Sequence, residues 1–258
     1  MRVEYKTKIF QTELRLAREA VKDALQALGN LDPRRQKLKC EALLAREMKT
    51  MGDKNLEKII LKRLAPTGIP ILSEEIGLVS GQKNTNLKWV VDPLDGTINF
   101  VRGVGSCGIS VALCRNYKPI FGVIGEFPSN RIFWGGKSMG AFRSGQPIRV
   151  SCIKNQRKAV LCSGFPSRFE FKKNQLRKMD KWFTKAGKVR MLGSATVSLL
   201  RVAQGSAEVY AELSIMLWDV AAGLAIVEGA GGMYSLIKSR DQKGWDVRAG
   251  NNLVNSFK

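Results

Sequence analysis

At 258 residues with an ordinary apolar fraction and a formal charge of +21, the chain has room for one large domain or two lobes and suits anionic partners. Histidine is absent, which excludes Ser-His-Asp and Cys-His catalysis and His-ligated zinc; chemistry must come from carboxylates, thiols, hydroxyls, lysines or bound metal. No apolar run approaches the ~20 residues that span a bilayer, the opening MRVEYKTKIF has no signal-peptide apolar segment, and five scattered cysteines without a Cys-x-x-Cys pair point to a reduced, cytoplasmic protein.

Residues 3–28 are predicted helical, because Ile9, Phe10, Leu14, Ala17, Val21, Ala24, Leu25 and Leu28 recur at three- and four-residue steps. Gly29 and Asp32-Pro33 end that helix. Residues 34–49 are basic and weakly patterned, a loop with some helix. Asp53 opens a second helix, DKNLEKIILKRL, with Leu56, Ile59, Ile60 and Leu64 inward; an N-cap role alone would account for Asp53. After a break over 66–70, a short apolar piece delivers Ser73-Glu74-Glu75-Ile76-Gly77. Adjacent glutamates commonly sit in solvated loops, and it is their place just after a strand that singles these out.

The stretch WVVDPLDGTINF organises the chain. Residues 87–91 form a buried strand that Pro93 should stop. Asp92 and Asp95 then stand three residues apart at its end, followed by Gly96-Thr97, where a helix-like turn leaves amide N–H groups free. Carboxylates beside an anion cradle can hold divalent cations that bridge to a phosphate. An Asx-turn and helix cap would be the plainer account. Strands over 109–113, 119–127 and 131–134, with turns at Asn116-Tyr117, Ser129-Asn130, Gly135-Gly136 and Gly140, make an antiparallel meander. Gly145-Gln146-Pro147 and Ser151 mark a boundary between an N-terminal lobe, 1–150, and a C-terminal lobe, 151–258.

The second lobe is predicted to hold a strand over 159–162, the loop Ser163-Gly164-Phe165-Pro166, and a basic amphipathic helix over 172–186 that buries Leu176, Met179, Trp182 and Phe183. An extended piece over 189–192, a helix from Gly193-Ser194 to Ala203 and a strand over 208–213 follow. The last helix starts at Trp218 and stops at Gly229; residues 233–237 and 253–254 are expected to complete a sheet. Asp219 lies in that last helix, among residues otherwise made for burial. It serves either as an N-cap or as an inward carboxylate meeting Asp92 and Asp95, where a cation would offset the several kcal/mol cost of burying it.

Taken together, LSEEIG, DPLDGTINF and LWDVAAGLAIVEGAGG resemble the signature segments of the inositol monophosphatase family, magnesium-dependent and lithium-sensitive phosphatases. KTMGD, GSAT and the closing Ala249-Gly250-Asn251 extend the resemblance from about Thr50 to Asn251. It implies an α+β fold, a layered α-β-α-β-α sandwich of the inositol monophosphatase and fructose-1,6-bisphosphatase type, and a homodimer. It further implies that Glu74, Asp92 and the Leu94 carbonyl hold one Mg²⁺, and that Asp92, Asp95 and Asp219 hold a second. In the family the loop before Thr50 is a mobile one that would serve a weaker third ion. The N–H groups of Gly96 and Thr97 would bind phosphate. The Thr97 hydroxyl would pair with Asp53 to orient and deprotonate the attacking water, with Glu74 the third catalytic group. Glu212 would contact substrate hydroxyls, and Gly193, Ser194 and Ala195 would line the leaving-group pocket. The chain departs from the family pattern in KCEALLAREMK, which lacks Asp-x-Val-Thr, in Ser73 for glycine and in Ile98 for threonine. Ile98-Asn99-Phe100 also differs from the Lys-Glu-Phe of the phosphoadenosine phosphatases.

The expected activity is therefore Mg²⁺-dependent hydrolysis of a small sugar or polyol phosphate monoester, with myo-inositol 1-phosphate the leading substrate and fructose 1,6-bisphosphate or dual activity the alternative. Two rivals come from other classes. Cys162 and Arg168 match the Cys-x5-Arg pattern of thiol phosphatases, although Pro166 removes one loop amide. Residues 168–190 hold nine Lys or Arg against two acids, a surface that could bind RNA in a transcription-associated protein; Trp182 and Phe183, however, suit a helix core better than a stacking platform.

Overall fold

The computed structural model describes residues 10–31, 41–44, 47–49, 51–167, 169–240 and 243–257. Helix α1 (Gln11–Gly29) buries Ala17, Ala20, Val21, Ala24, Leu25 and Leu28, a stripe at helical spacing whose small members allow close approach to helix α2 (Met51–Leu64). Both helices cover one face of an eight-stranded sheet. That sheet contains β3 (Ile71–Ser73), β4 (Gly77–Val79), β5 (Leu87–Asp95), β6 (Cys107–Arg115), β7 (Lys118–Phe127), β8 (Arg131–Gly136), β9 (Gly140–Arg143) and β10 (Gln146–Pro147). Its spatial order is β10-β9-β8-β7-β6-β5-β3-β4, antiparallel except where β3 lies parallel to β5.

On the opposite face lie helices α5 (Ala195–Ala203) and α6 (Leu217–Gly229), apolar nearly all round because they are sandwiched between two sheets. The second sheet has β11 (Val160–Cys162), β12 (Lys188–Arg190), β13 (Val209–Ile215), β14 (Met233–Lys238) and β15 (Trp245–Gly250), in the order β12-β11-β13-β15-β14. Its outer face is closed by α4 (Lys173–Lys185) and a 3₁₀ helix, Asn252–Phe257, around Met179, Trp182, Leu213, Leu253 and Phe257. The layers thus run α-β-α-β-α, as expected. Close approach of α6 to the first sheet needs glycine: a Cβ on Gly122 would stand 2.3 Å from the Ala222 carbonyl oxygen.

Several local expectations are corrected. Pro93 does not stop the central strand; β5 continues to Asp95 because a bulge between Asp92 and Asp95 sets three steps on β5 against two on β6, a place that tolerates the missing N–H. Residues 41–44 and 47–49 pair as strands β1 (Glu41–Leu44) and β2 (Glu47–Lys49), a hairpin where a loop with some helix was expected. The first helix begins at Gln11 among the described residues, and residues 3–9 lie outside them. Helix α2 starts at Met51, so Asp53 sits inside its first turn rather than at the N-cap. Leu176 is exposed, because α4 turns only Met179 and Trp182 fully inward, with Phe183 partly buried. Gly135 and Gly136 lie in β8, with the turn after them. Residues 253–254 lie in the 3₁₀ helix; the strand that completes the second sheet beside β14 is β15.

Candidate active site

The β5 bulge and the N-termini of α3 (Thr97–Arg102), α5 and α6 converge on a cavity of about 600 Å³ lined by Glu74, Asp92, Leu94, Asp95, Gly96, Thr97, Gly193, Ser194, Ala195, Glu212 and Asp219. Of the predicted site residues only Asp53 is not in that lining; it stands behind Thr97. Asp92, Asp95 and Asp219 each present an oxygen within 4.8 Å of the others. Glu74 follows β3, its N–H bonded to the Val91 carbonyl at 3.2 Å.

Each carboxylate is fixed by its own local structure. Asp92 Oδ1 accepts from the Leu94 N–H at 2.9 Å within the bulge. Among the described residues, Asp92 Oδ2 is buried without a hydrogen-bond donor. Asp95 Oδ2 accepts from the Ser194 hydroxyl and the Thr196 N–H, both at 2.6 Å. Ser194 also caps α5, accepting from the Val197 N–H at 3.1 Å. Asp219, the third residue of α6, accepts from the Met216 N–H at 3.2 Å. The N-cap position belongs to Met216, so the N-cap reading of Asp219 is corrected: from the third position Asp219 reaches back to the N-cap amide while its carboxylate faces inward.

Burial raises the pKa of all three. For Asp92, well above the usual carboxylate range, burial is reinforced by Glu74, Asp219 and Asp95. Asp219 is raised by burial, then by Asp95 and Glu74. Asp95 is raised by burial, with the Ser194 and Thr196 bonds working against it. Crowded anions with one oxygen lacking any donor fit a cation: the donor set is all oxygen, hard, and drawn from separate elements, as a divalent metal such as magnesium requires.

Beside this triangle, the Thr97 hydroxyl lies 3.1 Å from Asp53 Oδ1 and 3.0 Å from the Leu94 carbonyl; with one proton it donates to one of them at a time. Asp53 is buried. Across the cavity Glu212 is held by the Tyr210 hydroxyl at 2.5 Å. Burial raises its pKa to about 7, against the lowering effect of the Tyr210 bond.

Cys162, the residue of the thiol alternative, is buried, and burial lifts its pKa to about 11 despite Arg201 and Arg190. A raised pKa and burial favour the thiol over the thiolate and disfavour nucleophilic attack by Cys162. Arg168 lies outside the described residues.

Three buried acids were missed, Glu57, Glu126 and Glu208, and of these Glu57 lies against the Glu74 turn. Glu57, four residues after Asp53, accepts hydrogen bonds from the Ser73 hydroxyl and the Ile76 N–H. The signal was available: Asp53, Leu56, Glu57, Ile60 and Leu64 share one helical stripe, and an acid on a buried stripe needs a partner.

Comparison with known proteins agrees with this geometry. The inositol monophosphatase family matches residues 6–257. Among relatives, the Nus factor SuhB of Xylella fastidiosa is 38% identical over 192 residues, covering 73% of this chain and 69% of that one. The fructose-1,6-bisphosphatase/inositol-1-monophosphatase of Aquifex aeolicus is 31% identical over 207 residues, 80% and 76% of the two chains. The structure of inositol monophosphatase from Anabaena superposes with a TM-score of 0.80 at 29% identity, covering 96% of this chain and 94% of that one. With its layered fold and its carboxylates gathered at one cavity, the chain belongs to the inositol monophosphatase family of phosphatases.

Proposed function

We propose that this protein hydrolyses small sugar or polyol phosphate monoesters with Mg²⁺, myo-inositol 1-phosphate being the leading substrate and fructose 1,6-bisphosphate the second. The observation that carries the proposal is the Asp92–Asp95–Asp219 triangle, with oxygens within 4.8 Å and Asp92 Oδ2 buried without a donor among the described residues. Glu74, Asp92 and the Leu94 carbonyl would hold one ion, and Asp92, Asp95 and Asp219 a second; a third would depend on the segment before Thr50, which departs from the family pattern. Bound Mg²⁺ supplies Lewis-acid stabilisation of charge on the phosphoryl and leaving oxygens.

The chain's own residues do the rest. The amides of Gly96 and Thr97, at the start of α3, hold phosphate oxygens. The Thr97 hydroxyl accepts a proton from the attacking water as it passes its own to Asp53 Oδ1, 3.1 Å away. Glu212, anchored by Tyr210, accepts from substrate hydroxyls. Gly193, Ser194 and Ala195 shape the leaving-group side. In this reading the lobe 1–150 brings Glu74, Asp92 and Asp95, and the lobe 151–258 brings Glu212 and Asp219. We place the protein in the cytoplasm as a homodimer; its described cysteines are all free, and no helix among the described residues is long and apolar enough to cross a membrane. Phosphate release from a panel of inositol, fructose and nucleotide esters, with and without Mg²⁺ and with added Li⁺, tests the proposal. Mg²⁺-dependent, Li⁺-inhibited release from a polyol ester is expected, and no release from any ester refutes it.

A relative named as a Nus factor and a charge of +21 support a second reading, RNA binding by the basic surface. It is not favoured: Trp182 is buried, and Lys172, Lys178 and Lys185 already meet Glu170, Asp246 and the Ser256 carbonyl. A salt titration of RNA binding decides it, since phosphate contacts give a steep negative slope.

A further inference from the structure

We infer that Glu57 is a positioning residue that sets the Glu74 turn for metal binding, so that helix α2 orients two parts of the site from one face. The inference rests on the proposed metal role of Glu74. Glu57 is 2% exposed and lies one helical turn beyond Asp53. Asp53 reaches Thr97. Glu57 reaches the other wall: its Oε1 accepts from the Ser73 hydroxyl and, at 3.3 Å, from the Ile76 N–H. Those two donors bracket Glu74 and Glu75 in the turn between β3 and β4, where Ser73 pairs with Gly77.

The strand that leaves the turn, β4, lies at the sheet edge, and Ile76 and Leu78 are exposed. The Glu74 N–H bond to Val91 fixes the start of the turn, and Glu57 fixes its far side. One acceptor oxygen receiving donors three residues apart closes the turn around the intervening side chains. The departure at Ser73 acquires a purpose here, since its hydroxyl supplies half of the clamp and a glycine could not.

Groups that orient a metal ligand through hydrogen bonds typically change metal affinity by about 10–100-fold when removed. Calorimetric titration of Mg²⁺ into the substrate-free protein therefore separates positioning from general stability. Glu57→Ala is expected to weaken Mg²⁺ binding by roughly tenfold or more. Glu57→Gln, whose amide oxygen can accept the same two bonds, should stay within about threefold of wild type. Ser73→Ala, which leaves α2 untouched, should weaken binding by an intermediate factor even if Glu57→Ala fails to fold. Wild-type Mg²⁺ affinity in Ser73→Ala, or equal loss in Glu57→Gln and Glu57→Ala, overturns the inference. Asp95→Asn is the control: if neither it nor the wild-type protein binds Mg²⁺, the metal-dependent reading of the site fails instead.

Discussion

Replacing Asp95 by Asn should separate catalysis from folding. Asp95 Oδ2 takes its two 2.6 Å hydrogen bonds from Ser194 and Thr196. The amide oxygen of Asn can occupy that position and keep both bonds, with an NH₂ donor replacing Oδ1. One carboxylate of the Asp92–Asp95–Asp219 group then gives way to a neutral amide. The loss of one ligand and one charge should lower turnover about 10³-fold or more, or ~4 kcal/mol of transition-state stabilisation. Stability without metal should move the other way. Unit charges 4.8 Å apart repel by about 3–4 kcal/mol at an effective dielectric of ~20. Protonation of the raised carboxyls already relieves part of this, so a gain of about 1–2 kcal/mol, or roughly 2–6 °C in Tm for a chain of this size, is expected in the variant. Differential scanning calorimetry with and without Mg²⁺, beside a phosphate-release assay, reads both effects. Wild-type turnover in the variant refutes the metal role of Asp95. A lower metal-free Tm refutes the electrostatic account.

Three further outcomes are expected. Glu212, whose folded pKa is raised from 4.5 to about 7, contributes stability that is fully present below pH 4.5 and lost as pH rises through 7. The advantage of wild type over Glu212→Gln in denaturant melts should therefore shrink by roughly 2–4 kcal/mol across that window, and an advantage that grows with pH would contradict the raised pKa; the same variant should also shift preference among polyol esters, read as relative kcat/KM. Gly122→Ala places a Cβ 2.3 Å from the Ala222 carbonyl and should cost about 2–3 kcal/mol by forcing α6 off the sheet; an unchanged Tm would show that the layers slide freely. Cys162→Ser should leave kcat intact, and loss of turnover in a folded variant would revive the thiol mechanism.

Much of the site was legible because its chemistry is local. Asp92, Asp95, Gly96 and Thr97 fall within six residues, and a turn that places acids beside free amides can be read from residue types alone. The gathering of Asp219 and Glu74 onto that turn could not be read from periodicity; it needed the family resemblance, because the sheet and α6 bring those residues together across long stretches of chain. The first helix was legible from its stripe, whereas the end of β5 was misjudged because a bulge, set by pairing with β6, admits Pro93. Strand β15 was missed although Trp245, Val247 and Ala249 alternate with Asp246 and Arg248; the neighbouring apolar pair Leu253-Val254 looked like the better strand and instead packs a 3₁₀ helix beneath α4. Glu57 was overlooked for a different reason: helical register marks which face is inward, yet the Ser73 and Ile76 donors that make an inward acid tolerable come from elsewhere in the chain.

The contact at Gly122 has a consequence for how the fold holds its tolerances. Helix α6 carries Asp219 at one end and lies main chain to main chain on the sheet that carries Asp92 and Asp95, and its far end is seated equally closely, a Cβ on Gly229 falling 2.4 Å from the Gly140 carbonyl oxygen. Atoms that no rotamer can displace thus gauge the gap between opposing oxygens. Side chains around the rim can be exchanged to suit a new ester while that gap keeps its calibration.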